Sequence, residues 1–293
     1  MNIALIEHPC TSEASNTAIN DQTKLALLQQ GRLVEVISFD TNWVGNIYQG
    51  RVNHVSANFI FVDIGTETAG FLPNQKGMNT LKQGDYLTVQ VKRNPSLSSA
   101  QKKGPLLTLL GEPTQQATQP IGLVSRPCVV SQAKTLLHEP LDKIVISNPD
   151  LVDNIATQFP NCQIECIDTP FTAYEIAHKL PAGPKVWLKS GAYLLIEKTT
   201  ACTVIDINTG KHTHKKKNII HQTNTEAIAE IAYQLRLQGI SGIVIIDLIN
   251  NPNKSENQQL VEKLKQLLAT DRAQTQVMGI TKLGLLELTR QSV

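Results

Sequence analysis

Two apolar runs, Thr203-Val-Ile-Asp206-Ile-Asn208 and Ile243-Val-Ile-Ile-Asp247-Leu248, constrain the fold of this chain most, because each is of strand length and each carries an aspartate near its end. Between them, residues 224–238 place Ile228, Ile231, Ala232 and Leu235 at helical spacing, and Gly239 closes that helix. The 41 positions from Asp206 to Asp247 leave room for a loop and a crossover helix. Strand, helix and strand in this order predict parallel neighbours in one sheet. Open α/β sheets assemble ligand sites at the carboxyl ends of such strands. Asp206 and Asp247 are therefore candidates to share a site.

Two facing carboxylates repel unless a cation or a shared proton intervenes, and hard oxygen donors select magnesium or manganese over zinc. In phosphodiester cleavage such an ion neutralises the scissile phosphate and lowers the pKa of a coordinated water. Asn208, two residues beyond Asp206 and on the same face of the strand, can orient that water or a phosphate oxygen. The plainer alternative is that each aspartate caps a helix or forms a turn at a strand end. Pattern alone leaves both readings open.

Upstream, residues 33–38, 46–55, 59–64, 70–72, 86–92 and 106–110 read as short strands broken by polar or glycine-bearing turns, which predicts a small barrel. Gly50, Gly65 and Gly70 fall where a tight barrel needs bends or close backbone approach. Phe61 and Phe71 lie on these strands and are candidates to stack on unpaired bases. Core packing is the simpler account of them. Phe59 and Phe61 share a face, so at least one is expected inside. Lys103, on a nearby turn, can meet a phosphate or stand as an ordinary solvated lysine.

Residues 112–132, polar and bearing Pro113, Pro120 and Pro127, read as a surface connection. The pattern then turns α/β. Strands are expected at 143–147, 163–167, 185–188, 192–198, 200–208, 242–248 and 274–280, with helices at 149–158, 172–178, 224–238 and 256–270. No internal repeat is evident.

The chain's 293 residues and 41% hydrophobic content predict two or three compact units. The longest apolar stretch, 240–249, is strand-length and well short of the roughly 20 residues of a membrane span. The amino terminus has no basic region ahead of its short apolar run, so a cytoplasmic location without membrane insertion is expected. A net charge of +2 does not by itself announce a nucleic-acid binder. Basic residues do cluster at Lys102 and Lys103 and across 211–217, where His212 and His214 join them; solvated loops account for these equally well. Cys10, Cys128, Cys162, Cys166 and Cys202 form an odd, scattered set that suits reduced thiols. Cys162 and Cys166 have no second Cys/His pair nearby, so no structural zinc is expected.

The string Asn46-Ile-Tyr-Gln-Gly-Arg-Val52, with Phe61-Val-Asp-Ile-Gly65 and Gly70-Phe-Leu-Pro73, resembles the S-one type OB fold that opens ribonuclease E/G proteins. Further matches are Lys185-Val-Trp-Leu-Lys-Ser-Gly191, Tyr193-Leu-Leu-Ile-Glu197, Thr203-Val-Ile-Asp-Ile-Asn-Thr-Gly210, Thr223-Asn-Thr-Glu-Ala227, Gly242-Ile-Val-Ile-Ile-Asp247 and Gly284-Leu-Leu-Glu-Leu-Thr-Arg-Gln291, and these look closer to the ribonuclease G branch. The resemblance covers about 31–291. It implies a mixed α+β and α/β chain: an OB-fold barrel inserted near an RNase H-like region and followed by a DNase I-like catalytic region. The corresponding parse is 1–32 and 143–198 for the RNase H-like region, 33–111 for the OB fold, 112–142 for a linker and 199–293 for the catalytic region.

The resemblance also implies that Asp206 and Asp247 hold magnesium, with manganese a possible substitute, while Asn208 supports the attacking water. Phe61, Phe71 and Lys103 match the family's RNA-contacting positions. The implied activity is endonucleolytic cleavage of single-stranded RNA that leaves a 5′-phosphate on the downstream product, in RNA processing or decay. Two departures shape the remaining expectations. Residues 110–143 hold only a short polar stretch where the family carries its 5′-monophosphate sensor, so sensing of 5′ ends is not expected. The sequence ends at Val293, before the Cys-Pro-x-Cys element through which family members share zinc, so a monomer is expected rather than a zinc-linked dimer or tetramer. The rival readings are a catalytically weak RNA-binding or regulatory protein of the same family, and a structural partner in an RNA-processing assembly.

Overall fold

The computed structural model describes residues 1–8, 22–39, 42–74, 81–95, 103–117, 119–136, 140–210 and 219–291. It is a mixed α and β chain with several sheets and few helices, consistent with an OB-like barrel together with an α/β domain. Two compact units are present: residues 1–31 with 37–174, and residues 32–36 with 175–293.

The first unit opens with β1 (Asn2–Glu7) and β2 (Lys24–Gln29); β3 (Arg32–Ser38) follows, its residues 32–36 counting with the second unit. Their sheet takes two later strands, β10 (Lys143–Ile146) and β11 (Gln163–Cys166), in the order β11-β10-β1-β2-β3. Strands β1, β10 and β11 run parallel, whereas β1 and β2 are antiparallel. In β1 the consecutive residues Ile3, Ala4, Leu5 and Ile6 are all buried, as expected of a strand covered on both faces. The run at 33–38 does form a strand, but in this sheet and not in the barrel where the sequence pattern put it.

The barrel is built from β4 (Ile47–Val55), β5 (Phe59–Asp63), β6 (Gly70–Pro73), β7 (Tyr86–Arg93) and β8 (Leu106–Thr114). The hydrogen-bonded order β5-β6-β8-β7-β4 closes through pairing of β5 with β4. Period-two alternation sends Val52, Ile60, Val62, Leu87, Val89, Val91 and Leu107 into its core. Closure explains Gly50: a Cβ there would sit 2.5 Å from the Val62 side chain and 3.0 Å from the Asp63 carbonyl oxygen. The segment expected as a surface connection contributes more structure than its composition announced. Strand β9 (Gly122–Ser125) pairs with β4, and α1 (Val129–Leu136) follows. After β10 come α2 (Val152–Gln158), β11 and the short α3 (Pro170–Ala173).

The second unit begins with α4 (Ile176–Lys179), so the single helix expected at 172–178 is two short ones, interrupted where Glu175 takes a left-handed φ of 52°. Six strands follow: β12 (Lys185–Trp187), β13 (Tyr193–Lys198), β14 (Thr203–Asn208), β15 (Gly242–Asp247), β16 (Thr275–Ile280) and β17 (Leu285–Arg290). Helix α5 (Ile219–Leu237) connects β14 to β15, and α6 (Lys254–Leu268) connects β15 to β16. The sheet order is β12-β13-β14-β15-β17-β16, with β14 and β15 parallel, as the strand, helix and strand pattern predicts. One sheet face, carrying Leu194, Ile196, Ile205, Ile207, Val244 and Ile246, packs into one core with Ile228, Ile231 and Leu235 of α5 and Leu260 and Leu264 of α6.

Polar staples secure this unit. Arg290, nearly fully buried, donates through Nε and Nη2 to both carboxylate oxygens of Asp271 at 2.8 and 3.1 Å, and through Nη1 to the Ile240 carbonyl at 2.7 Å. Glu35 accepts from Arg236 Nε at 3.2 Å and Arg272 Nε at 2.7 Å. The Tyr233 hydroxyl donates to the Leu33 carbonyl at 2.5 Å, and burial pushes its pKa up, so it remains a donor. Among the described residues no helix is long and apolar enough to cross a membrane.

Candidate active site

Asp206 and Asp247 are direct register partners on the parallel strands β14 and β15. Adjacent strands lie about 4.8 Å apart and paired residues point to the same face, so the two carboxylates stand side by side. Alternation fixes which face. Ile205, Ile207, Val244 and Ile246 turn into the helix-covered core, which leaves Asp206, Asn208 and Asp247 on the opposite face. Asp206 and Asn208 are half-buried and Asp247 is exposed.

Asn208 Nδ2 donates to Asp206 Oδ2 at 2.6 Å. That bond fixes one oxygen of Asp206, leaves the other available, and leaves the Asn208 carbonyl oxygen as an acceptor. Among the described residues no group of three or more His, Cys, Asp or Glu side chains gathers into a metal cage. A two-carboxylate donor set nevertheless suits magnesium, which keeps several waters and binds through one or two carboxylates plus substrate phosphate.

Sequence reasoning passed over the residue that holds the edge of this site. Asn224 of α5 is fully buried; its Nδ2 donates to the Ile249 carbonyl at 2.8 Å and its Oδ1 accepts from the Ile249 backbone N–H at 3.0 Å. The chain two residues past Asp247 is thereby pinned to the helix. The available signal was a polar residue in phase with Ile228 and Ile231 on an otherwise apolar helix face.

On the barrel, Phe61 and Phe71 are register partners on β5 and β6 with ring centroids 6.4 Å apart. Phe59 joins them at 6.2 Å from Phe71, and His54 lies 6.2 Å from Phe61. Phe59 is 43% and Phe61 37% exposed, so the expectation that at least one is core is overturned: Ile60, Val62 and Leu72 fill the interior instead. Lys103 is exposed at the margin of β6. Its position follows from Gly104, where the backbone presses so closely on Ala69 that a Cβ would lie 1.8 Å from the Ala69 carbonyl oxygen. Phe71 N–H then donates to the Pro105 carbonyl at 2.9 Å.

The acid set and the aromatic set belong to different units. Lys102, the basic cluster at 211–217 and Cys10 lie outside the described residues. Cys162 donates its thiol to the Leu141 carbonyl at 3.1 Å, and burial pushes its pKa up, whereas Cys166 is exposed.

Comparison with known proteins gives matches to relatives named Ribonuclease G and Ribonuclease E. The chain is 45% identical over 109 residues to Ribonuclease G of Escherichia coli (strain K12), covering 36% of this chain and 22% of that protein. It is 46% identical over 110 residues to Ribonuclease E of Synechocystis sp., covering 37% of this chain and 16% of that protein. With Ribonuclease G of Haemophilus influenzae the identity is 37% over 147 residues, 49% of this chain and 29% of that protein. Each match thus spans less than a third of the relative's length. The model of the Ribonuclease E/G family matches residues 111–293, more than half of the sequence, and this chain is a member of that family.

Proposed function

We propose that this protein is a magnesium-dependent endoribonuclease that cuts single-stranded RNA at Asp206 and Asp247. The observation that carries the reading is the register pairing of the two aspartates, with Asn208 bonded to one of them. Two ionised carboxylates held side by side on a sheet face repel, and a divalent cation relieves that repulsion. Asp206 and Asp247 would hold the ion, with manganese an acceptable substitute. When bound, it supplies charge neutralisation at the scissile phosphate and a water acidified toward neutral pH.

The chain's own residues do the positioning. Asn208 keeps Asp206 in one orientation and presents its carbonyl oxygen to accept a hydrogen bond from the attacking water, aiming the oxygen lone pair at phosphorus. Asn224 keeps the chain beyond Asp247 from moving off the site. The five-stranded barrel is assigned as an OB-fold RNA-binding module, with bases stacking on Phe61 and Phe71 and a phosphate met by Lys103. The sheet β11-β10-β1-β2-β3 is assigned to the RNase H-like region and residues 199–293 to the DNase I-like catalytic region. RNA processing or decay in the cytoplasm is the setting this reading implies.

The test is incubation of the protein with a labelled single-stranded RNA, with magnesium and with chelator. Internal cuts that need the metal and leave a 5′-phosphate on the downstream fragment support the reading. Tight RNA binding without cutting in magnesium or manganese supports a regulatory RNA-binding protein of the same family instead.

A further inference from the structure

The sheet face that bears the acid pair also bears an aromatic pair with no assigned role. Trp187 and Tyr193 are register partners on β12 and β13, with ring centroids 5.3 Å apart and planes inclined by 62°. Lys185, two residues before Trp187 on the same strand face, holds its Nζ 4.0 Å from the Trp187 ring centroid and 3.8 Å from that of Tyr193. Register places this cluster beside the site: Tyr193 pairs with Asn208, and Leu195 pairs with Asp206. Trp187 is thus two strand spacings from Asn208, about 10 Å across the sheet. Trp187 is 63% exposed.

The turn joining the two strands is fastened to the unit. Leu188 N–H donates to the Ala192 carbonyl at 2.8 Å, and Ser190 N–H donates to Glu226 of α5 at 3.2 Å. A cation-backed aromatic step, open to solvent and one to two strands away from Asp206 and Asn208, has the chemistry of a single-strand subsite. Aromatic faces take unpaired bases, and an ammonium group beside them takes the connecting phosphate.

We propose that Trp187 and Tyr193, with Lys185, form a nucleobase-stacking subsite for the nucleotide adjoining the scissile phosphate of single-stranded RNA. This inference rests on the assignment of Asp206 and Asp247 as the cleavage site. Lys185 lies over both rings while most of the Trp187 surface stays exposed for a base, and its ammonium supplies a charge to meet the connecting phosphate. A cross-strand aromatic pair also stabilises a hairpin, and that role alone would leave RNA affinity unchanged.

Trp187 and Trp43 are the two tryptophans of the chain, so a full-length Trp43→Phe, Asp206→Asn variant makes Trp187 the sole indole reporter in an uncut complex. Titration with a short single-stranded oligoadenylate should quench its fluorescence saturably, whereas the same bases in a duplex should not. In the Asp206→Asn background, Trp187→Ala should weaken oligoadenylate binding roughly 5- to 150-fold, with Trp187→Phe restoring most of it. Silent Trp187 fluorescence at RNA saturation, judged by anisotropy of a labelled strand, overturns the subsite, as does unchanged affinity in folded Trp187→Ala. Cleavage by the parent protein is scored separately. Metal-dependent cutting with a silent Trp187 removes the subsite and keeps the nuclease reading. Quenching without any cutting keeps the stacking site and removes the nuclease reading.

Discussion

Asn208 donates its amide N–H to the Oδ2 of Asp206 at 2.6 Å, two residues away on the same strand face. The bond makes Asn208 a positioning residue as well as a partner for water. Asn208→Ala should lower kcat about 10- to 1000-fold at saturating magnesium, with RNA affinity changed far less. Steady-state cleavage of a labelled single strand checks this, and an equal loss in KM and kcat would speak against the positioning role.

Asp206 and Asp247 stand opposite one another as register partners on β14 and β15. Like charges directly opposite are destabilising, so in chelator Asp247→Asn should raise unfolding stability by about 0.5 kcal/mol. Magnesium should raise the unfolding midpoint of the parent protein and leave that of the variant nearly unmoved. Thermal denaturation with and without the metal measures both.

The guanidinium of Arg290 meets both oxygens of Asp271 and the Ile240 carbonyl in a buried setting. Lysine offers a point charge in place of a fork, so Arg290→Lys leaves buried acceptors unpaired. We expect a loss of about 3 kcal/mol in urea unfolding, within the range for breaking a buried ion pair.

Phe59, absent from the sequence-level candidates, should contribute to RNA binding as Phe61 does, because both rings are exposed beside Phe71. Phe59→Ala and Phe61→Ala should each weaken single-strand binding roughly 5- to 150-fold by anisotropy. Lys103→Ala should weaken it more uniformly across sequences and make the affinity less steeply dependent on salt.

Much of this was legible in the sequence, for identifiable reasons. Alternation and apolar run length located β13, β14 and β15, and the helical spacing between the last two required them to be parallel. What pattern left open was register: nothing local says that residue 206 faces residue 247 and not a neighbour, because register is set by the packing of Ile205, Ile207, Val244 and Ile246 against α5 and α6. The strand at 33–38 was visible, but strand pattern carries no label for its sheet. Strand β9 was hidden because its residues are mostly exposed and show no period-two signal. Phe59 and Phe61 were misjudged on the rule that aromatics are buried, although the alternating Ile60 and Val62 already supplied an inward face. Asn224 escaped notice because its role lies in bonds to a loop 25 residues away.

The most direct test of the acid pair is cleavage of a labelled single-stranded RNA in magnesium by the parent protein, Asp206→Asn and Asp247→Asn, with folding checked by circular dichroism. Asp206 and Asp247 as joint metal holders predict metal-dependent cutting by the parent and a loss of about 100-fold or more in each folded variant. Cutting that proceeds equally in chelator and in both variants would contradict it.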